Sequence, residues 1–365
     1  MTRVAEVVDA VIGGDTHSLV HQLELAAPTG AVLAITTVTN DEAGFAAALA
    51  WIADHVPSSR VMVGLEGTRS YGVGLARALV GAGLVVVEVE QPSAKSRRGK
   101  GKSDPIDAHR AALSVLGMDT DRLPIPRADG DREALRILLN AHREITATRV
   151  RHGNELRALL LTGQDADRAM AAGTFTLGRL DRIAARRDRA GATREQAIRR
   201  AEARRLALAC RQGYYTLKDH RKQIIELVNE LAPGMLAQRG VGPISAAQIL
   251  ISFSHPRRCR NDAAFAALAG VAPIPATSGK TINRHRINHG GDRQLNRALH
   301  DIAKWRIQHC TNPGLRRPPH RRRQNHQRNP TLPQALPRPP PIPLPNRNHG
   351  LTTHRSVTFG SPRAA

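Results

Sequence analysis

Four carboxylates occur in sequence settings that would direct their side chains toward one point. Asp15 closes an apolar run that ends in two glycines, and Glu66 ends a second apolar run ahead of a Gly-Thr pair. Open α/β sheets hold their ligand residues at such strand ends, facing the start of a helix. Asp104 and Asp107 are spaced by three around Pro105, which is typical of a first helical turn and puts both acids on one face. The spacing therefore predicts one acidic site.

Such a site needs a counter-charge. Four converging carboxylates repel one another by several kcal/mol at low effective dielectric. Oxygen-rich sites of this kind hold hard divalent cations, so Mg²⁺ or Mn²⁺ is the expected cofactor. Two ions roughly 4 Å apart would bind the attacking and leaving oxygens of a phosphodiester. For each acid taken singly, a helix cap or a solvent-facing position explains it as well.

The surrounding pattern predicts an α/β unit over about the first 112 residues. The apolar run that ends at Asp15 and a strand over residues 30–37 would form a hairpin. A helix over about residues 71–82 would follow Glu66. These elements would bring strand ends and helix starts together at one edge of a sheet.

The three acidic segments carry a resemblance to a known family. Residues 13–17 (GGDTH), 64–72 (GLEGTRSYG) and 102–108 (KSDPIDA) resemble the catalytic blocks of the RuvC-like domain in DEDD-type insertion-sequence transposases. This is the IS110 family, which includes the Piv-type DNA invertases. The resemblance implies an α/β RNase H-like (RuvC-like) fold. It also carries the family's metal-binding tetrad onto four matching positions, Asp15, Glu66, Asp104 and Asp107.

A later segment resembles the second conserved domain of the same family. Residues 263–280 match the region in which a serine before glycine is the nucleophile, and Ser278 is the matching position. Taken alone, a Ser-Gly pair is ordinary turn chemistry. A serine hydroxyl needs activation, which an adjacent metal site would supply without a histidine base. Guanidinium and ammonium groups nearby are candidates to bind phosphate oxygens: Lys280, Arg284, Arg286 and Arg293.

Two further segments are candidate nucleic-acid contacts. A glycine-interleaved basic loop precedes the last two carboxylates and could hold a strand near the metals, although basic loops are as often solvated surface. Its cations are Lys95, Arg97, Arg98, Lys100 and Lys102. Gly240 and Gly242 flank a valine between two helices. This predicts a hairpin whose backbone N–H groups hold a phosphate, or else an ordinary helix end with a tight turn.

Helical periodicity dominates between the two blocks. One long helix is predicted from about Arg132 to Leu160 and a second from about Leu206 to Leu231. Their apolar stripes are weak, so we interpret them as an antiparallel pair. The family resemblance implies a coiled-coil insert that assembles protomers into a dimer or tetramer. Arginine-rich residues 186–205 would add a basic surface, and a solvated helix with i,i+4 ion pairs explains them equally well.

The composition fits a nucleic-acid partner. Lysine and arginine number 54 against 31 acidic residues, and the net charge of +23 attracts phosphate backbones before specific contacts form. Aromatic residues make up 3%, which argues against base stacking on the protein. An element-encoded guide RNA, implied by the resemblance alone, is consistent with that.

The same composition predicts a cellular location. No apolar segment has the length of a membrane span or the form of a signal peptide. Three scattered cysteines fit a reducing compartment. We therefore expect a cytoplasmic, nucleoid-associated protein that binds DNA and no membrane.

The expected organisation has four parts. Residues 1–128 form the RuvC-like catalytic domain, and residues 129–232 form the helical coiled-coil insert. Residues 233–312 form a mainly α-helical serine domain with a start like a helix-hairpin-helix. Residues 313–365 form a disordered tail rich in proline and arginine.

The tail has a second interpretation. Residues 311–365 hold 12 of the 23 prolines and 10 arginines but no Asp, Glu or Lys. Back-translation with free codon choice permits, in the frame one nucleotide later, a basic amphipathic helix similar to the terminal helix of this family. The tail is therefore either the product of a frameshift or a genuine nucleic-acid-binding segment. If it is the product of a frameshift, the chain is alternatively an inactive transposase copy.

Two other functions compete with a recombinase that moves a mobile element. A RuvC-like junction nuclease would share the tetrad but use metal-activated water, which leaves Ser278 idle. A DNA-packaging protein would explain the charge and the long helices but not the acidic cluster. Rejoining of cut DNA without Ser278 would favour the nuclease, and metal-independent binding without cleavage would favour the packaging protein.

Overall fold

The computed structural model describes residues 2–56, 58, 60–90, 104–187, 191–255, 258–277 and 284–309, without the side chains of residues 104–106. These residues form two compact units. The first consists of residues 2–133 and 253–267, and the second consists of residues 134–252 and 268–309. The chain thus leaves the first unit and later returns to it. The four-part division expected from the sequence stays a prediction.

A five-stranded sheet organises the first unit. Its strands are β1 (Ala10–Thr16), β2 (Val20–Ala26), β3 (Val32–Thr39), β4 (Val61–Leu65) and β5 (Val85–Glu88). The spatial order is β3-β2-β1-β4-β5. Strands β1, β2 and β3 form an antiparallel meander, whereas β4 runs parallel to β1 and β5 runs parallel to β4. The mixed α/β expectation is therefore confirmed.

The predicted hairpin between β1 and residues 30–37 is wrong. The strand that pairs with β1 is β2, and the third strand begins at Val32 and pairs with β2 instead. The physical reason is that β2 carries polar residues that are buried, with His21 at 0% and Glu24 at 2% exposure. In the sequence, polar residues at those positions predict a loop. In the structure they belong to a strand, and both faces of that strand are covered.

Helices cover both faces of the sheet. Helices α1 (Glu42–His55) and α2 (Val73–Gly81) pack on one face, where Ile12, Leu23 and Leu65 are fully buried. The start of α1 is fixed by Asp41, whose side chain accepts a hydrogen bond of 2.8 Å from the Gly44 backbone N–H. Helix α3 (Asp104–Leu116) covers the other face over β1, β2 and β4.

Helix α3 lies directly on the backbone of β1. A Cβ atom at Gly13 would come within 2.1 Å of the Ala108 carbonyl oxygen and 2.4 Å of the Ala112 nitrogen. Further along α3, Val115 packs in one cluster with Val4 and with other residues near the start of β1. Helix α3 therefore runs opposite to β1, so its first turn lies at the carboxyl end of that strand.

A helical hairpin organises the second unit. Helix α4 (Gly130–Leu161) and helix α7 (Arg194–Leu231) are its long arms, with α5 (Asp165–Ala171) and α6 (Leu177–Ala184) between them. The ring of His142 lies 6.3 Å from that of His220, and Arg199 donates a hydrogen bond of 2.9 Å to the Leu159 carbonyl. Because contacts late in α4 meet residues early in α7, the helices are antiparallel. The supercoiled packing of a coiled coil stays a prediction.

The remainder of the second unit is mostly helical. Helix α8 (Pro243–Phe253) and helix α9 (Asp262–Leu268) each cross the boundary between the units, and a two-residue ladder of β6 (Ile274–Pro275) with β7 (His285–Arg286) precedes α10 (Arg293–His309). Gly270 and Gly291 have positive φ angles of 67° and 90°. A Cβ on either residue would lie within 2.7 Å of backbone atoms around the other. This glycine contact joins the segment after α9 to the start of α10.

None of the helices in the described part of the chain is long and apolar enough to cross a membrane.

Candidate catalytic site

Asp15 and Glu66 stand next to each other on adjacent parallel strands. The last paired residues of β1 and β4 in the ladder are Gly14 and Leu65, and the Glu66 N–H donates a hydrogen bond of 3.0 Å to the Gly14 carbonyl. Side chains alternate along a strand, so Asp15 and Glu66 lie on the same face as Gly13, the face under α3. Both are buried, at 5% and 3% exposure.

Helix α3 carries the other two predicted acids to the same edge. Ala108 overlies Gly13, which is two residues before Asp15, and the Ala111 carbonyl lies 3.5 Å from a Cβ built on Gly64, two residues before Glu66. One helical turn advances about 5.4 Å and two strand residues advance about 6.6 Å. The residues one turn earlier in α3 are therefore level with the strand ends. Those residues are Asp104 and Asp107.

The two acids of α3 differ in what the structure describes. The Asp107 carboxylate accepts a hydrogen bond of 2.5 Å from Nη1 of Arg110 on its own helix. The side chain of Asp104 lies outside the described residues. Helix α3 begins at Asp104, which confirms the predicted helix start with Pro105 in the first turn.

Neighbouring groups fix the strand-end acids. His17 Nε2 lies 3.0 Å from the Asp15 carboxylate, and the Thr16 hydroxyl donates a hydrogen bond of 2.8 Å to the Glu66 carbonyl. Gly67 adopts a φ angle of 65°, which glycine tolerates best, and its carbonyl accepts from the Ser70 N–H at 2.8 Å. This turn leads the chain from β4 into α2.

One buried acid at this face was missed in the sequence. Glu24 on β2 stands opposite Gly13 in the ladder, and its carboxylate lies 2.5 Å from Nδ1 of His109 on α3. The contact ties the middle of α3 to β2 beside the predicted site. Its only sequence signal is the alternation of Leu23, Glu24 and Leu25, which predicts a polar outer face rather than a buried carboxylate.

The donor chemistry of the site fits a hard divalent cation. Asp15 and Glu66 present carboxylate oxygens from one buried face, and such oxygens are the ligands that Mg²⁺ and Mn²⁺ prefer. Among the described side chains, no group of three or more His, Cys, Asp or Glu residues is placed to hold a metal ion. The full tetrad includes Asp104, whose side chain is not described, so the tetrad stays a prediction.

The predicted serine site is described only at its borders. Ser278 and Lys280 lie outside the described residues, between strands β6 and β7. Those strands form a ladder in which Arg286 pairs with Ile274, and the Ala276 N–H donates a hydrogen bond of 2.7 Å to the Arg284 carbonyl. Arg284 and Arg286 are exposed, and so is Arg293 at the start of α10.

The two remaining nucleic-acid segments have different outcomes. Lys95, Arg97, Arg98, Lys100 and Lys102 lie outside the described residues. Gly240 has a φ angle of 81°, and a Cβ there would lie 3.1 Å from the Trp305 ring on α10. Gly242 has open space and precedes α8, as predicted. The structure thus gives Gly240 a packing role, and phosphate binding at this turn stays a prediction.

Two family models match the chain. A model of DEDD transposases of IS110 elements, described as a transposase, matches residues 12–163. A model of the transposase IS116/IS110/IS902 family matches residues 236–318. The chain belongs to the IS110 family of transposases. No curated protein matches it.

Family membership gives the coarse function of this IS110 transposase. Such enzymes cleave and transfer DNA in transposition, so DNA is its partner. The first match contains all four predicted acids and extends through α4, and the second contains Ser278 and ends at residue 318. The predicted site residues therefore fall inside the two matched regions.

Proposed function

We propose that this transposase excises and inserts a mobile element by metal-assisted serine transesterification on DNA. The carboxylates of Asp15, Glu66, Asp104 and Asp107 are the proposed ligands of Mg²⁺ or Mn²⁺. Ser278 is the proposed nucleophile, in an RNase H-like catalytic scheme with the acids at strand ends. DNA, an element-encoded guide RNA and a second copy of the chain are the proposed partners, in a cytoplasmic, nucleoid-associated protein.

One observation supports the acidic site above all. Asp15 and Glu66 are buried, follow neighbouring parallel strands in register, and share the face on which α3 begins. Two carboxylates in this position repel each other unless a cation or a proton lies between them. A cation bound there would neutralise the acids and polarise a phosphate oxygen.

The serine step conserves the energy of the phosphodiester. The Ser278 hydroxyl oxygen forms a bond to phosphorus while the bond from phosphorus to one deoxyribose oxygen breaks. The serine proton passes to the leaving deoxyribose oxygen, which becomes a hydroxyl, and phosphorus carries four oxygens before and after the step. Exposed Arg284 and Arg286 are suited to hold the non-bridging oxygens, because a planar guanidinium binds two of them at once. Reversal of the step rejoins DNA without ATP.

Removal of single acids tests the metal site. Asp15→Asn and Glu66→Gln should each abolish DNA cleavage in Mg²⁺ while DNA affinity stays near that of the unmodified protein. Asp129→Asn is the matched control, because Asp129 is an exposed acid of the same unit that pairs with Arg77. Cleavage at an unchanged rate in both acid variants would refute the assignment.

Covalent trapping tests the serine. Cut DNA should migrate with attached protein in denaturing gels, and Ser278→Ala should remove the adduct. Thr277→Ala, which deletes the hydroxyl one residue earlier, should leave the adduct intact. If DNA is cut without an adduct under every condition, water is the nucleophile and the RuvC-like junction nuclease is the better description.

The last part of the proposal concerns the origin of the C-terminal segment. Residues 310–365 lie outside the described residues, and the family match ends at residue 318. We propose that this segment is a frameshifted replacement for a terminal helix. The nucleotide sequence of codons 311–345 tests this directly, because the codons must permit the helix in the next frame. Loss of DNA binding on truncation after Pro313 would instead identify a genuine nucleic-acid-binding tail.

A further inference from the structure

Two exposed aromatic rings stack on each other near the C-terminal end of α10. The Trp305 and His309 rings have centroids 4.3 Å apart and planes inclined by 15°. His309 Nδ1 donates a hydrogen bond of 2.9 Å to the Trp305 carbonyl one helical turn earlier, which fixes the imidazole over the indole. Trp305 is 40% exposed, and His309 is exposed as well. We call these two residues the aromatic pair.

The turn before α8 holds the aromatic pair in place. A Cβ on Gly240 would lie 3.1 Å from the Trp305 ring and 3.2 Å from Cγ of Arg306. Arg306 Nε donates a hydrogen bond of 2.8 Å to the Arg239 carbonyl, and Arg239 Nη2 lies 3.4 Å from the His309 carbonyl. All of these residues belong to the second unit. Because the rings are already fixed, they lose little conformational freedom when a ligand binds.

The surroundings of the aromatic pair are cationic. The side chains of Arg239 and Arg306 contact backbone carbonyls, and no carboxylate of the described residues forms an ion pair with either. Helix α10 itself carries four lysine or arginine residues and one acid, Asp301. Aromatic faces stack with planar groups, and guanidinium groups bind phosphate oxygens. A ligand that satisfies both kinds of group has a planar ring next to a phosphate.

The other tryptophan separates the effect of the helix from that of its surroundings. Trp51 and His55 in α1 are also one turn apart, with ring centroids 5.2 Å apart and the same hydrogen bond of 2.9 Å from the imidazole to the tryptophan carbonyl. Trp51, however, packs against the apolar core of the first unit, and α1 contains no lysine or arginine. Stacking of the histidine is therefore a local property of both helices, whereas the cationic surroundings distinguish Trp305.

We propose that the aromatic pair stacks with one unpaired nucleobase, while Arg239 and Arg306 bind the phosphate next to that base. A base inside a duplex is already stacked on its neighbours, so the ligand is a single-stranded segment of DNA or RNA. Aromatic residues are too few for many stacked bases but suffice for one. Every base has a π face, so this contact adds affinity without reading sequence. The proposal needs the nucleic-acid partner that family membership supplies, but neither Ser278 nor the acidic site.

Fluorescence of a single tryptophan in the full-length protein tests the stacking directly. Trp51→Phe leaves Trp305 as the reporter, and Trp305→Phe leaves Trp51 as the matched control. Each protein is titrated in EDTA with a thymidylate tetranucleotide, a uridylate tetranucleotide and an abasic tetramer with the same phosphates. Potassium chloride at about 150 mM limits charge effects to roughly 8 Å. The strands that carry bases should quench Trp305 saturably, the abasic tetramer should not, and Trp51 should respond to none of the three.

Anisotropy of labelled tetramers separates stacking from charge. Trp305→Leu should weaken binding of the strands that carry bases by about 5- to 150-fold, the range for one stacked base, and leave binding of the abasic tetramer unchanged. Arg239→Gln should weaken binding of all three probes and lower the slope of log affinity against log salt by about 0.7. Tyr215→Leu is the matched control, because Tyr215 is an exposed aromatic residue of the same unit outside the pair. It should change no affinity.

The outcomes separate the proposal from its alternatives. Quenching of Trp305 by thymidylate alone identifies a DNA segment, quenching by uridylate alone identifies an RNA segment, and quenching by both supports a site for either. If no strand quenches Trp305, or if the abasic tetramer quenches it equally, the aromatic pair only packs against Gly240 and the proposal is overturned. Misfolding of Trp305→Leu would not affect this result, because the quenching uses the unmodified pair. If cleavage does not need Ser278 while the quenching persists, the proposed chemistry fails and this binding site stands.

Discussion

The contact between α3 and Gly13 gives the sharpest test of how the acidic site is built. In Gly13→Ala the new methyl group would lie 2.1 Å from one backbone oxygen of α3 and 2.4 Å from a backbone nitrogen. An ordinary carbon–oxygen contact is about 1 Å longer, and backbone atoms of a packed helix cannot rotate away. We expect α3 to move off the sheet by about 1 Å, at a cost near the upper end of overpacking, about 3 kcal/mol.

Gly14→Ala is the matched control on the same strand. Its methyl group would point to the other face and meet the side-chain tips of Leu65 at 2.4 Å and Leu23 at 3.0 Å. Those tips belong to flexible side chains that give way, so we expect a cost of about 1 kcal/mol. Only Gly13→Ala should separate the acids of α3 from those of the strands, and a misplacement of about 1 Å costs on the order of a hundredfold in cleavage rate.

The two tryptophans make the assay specific to each unit. Trp51 lies in α1 of the first unit and Trp305 lies in α10 of the second. In a Trp305→Phe background, thermal unfolding followed by Trp51 fluorescence reports on the first unit. For a unit of this size each kcal/mol shifts the melting temperature by about 2 to 4 °C, so Gly13→Ala should lower it by about 6 to 12 °C. Equal melting temperatures for the two alanine variants would refute the α3 contact.

Three further outcomes are expected. His109→Ala leaves the buried Glu24 carboxylate without its histidine and should cost about 1 to 3 kcal/mol by urea unfolding, a loss that Glu24→Gln in the same protein should reduce. His255 has its pKa lowered from 6.5 to about 4, so the unfolded chain binds a proton first and stability should fall by roughly 3 kcal/mol as the pH drops from 6.5 to 4. His255→Asn should flatten that profile, and an unchanged profile would contradict the burial. Gly291→Ala should destabilise the second unit, read by Trp305, because its methyl group would meet backbone atoms at 2.7 Å. Gly290→Ala should cost less, because its nearest neighbour is the tip of the Asn288 side chain, 3.2 Å away, which can shift by a few tenths of an ångström.

The elements that carry apolar runs or periodic leucines are predictable from the sequence. The runs before Asp15 and Glu66 are strands, and α4 matches the first predicted helix with Leu156 and Leu160 fully buried. The second predicted helix is present in α7, which begins twelve residues earlier than predicted, at Arg194. Local signals suffice there because hydrophobic period and strand length agree with the final structure. The end of α7 at Leu231 and the start of α8 after Gly242 were likewise predictable.

Long-range polar contacts were not predictable from the pattern. Strand β2 was missed because His21 and Glu24 are buried, and their partners, Asn40 and His109, are distant in sequence. The ion pair of Glu88 with Arg127 was missed for the same reason. In the sequence, a charged residue predicts an exposed position, because the counter-ion that allows its burial is known only from the fold. The positions of Asp15 and Glu66 were predictable because both residues sit at strand ends, which the sequence does mark.

The return of residues 253–267 to the first unit has a consequence for synthesis of the transposase. The ribosome completes residue 133 about 120 residues before it begins this segment. At about 5 to 20 residues per second, the sheet would wait on the order of 6 to 24 seconds for Phe253, His255 and Arg258. Through that interval the Glu88 edge lacks its last partners. A fragment that stops anywhere before residue 253 leaves the first unit incomplete. The unit that carries the acidic site is therefore not encoded by one continuous stretch of the gene.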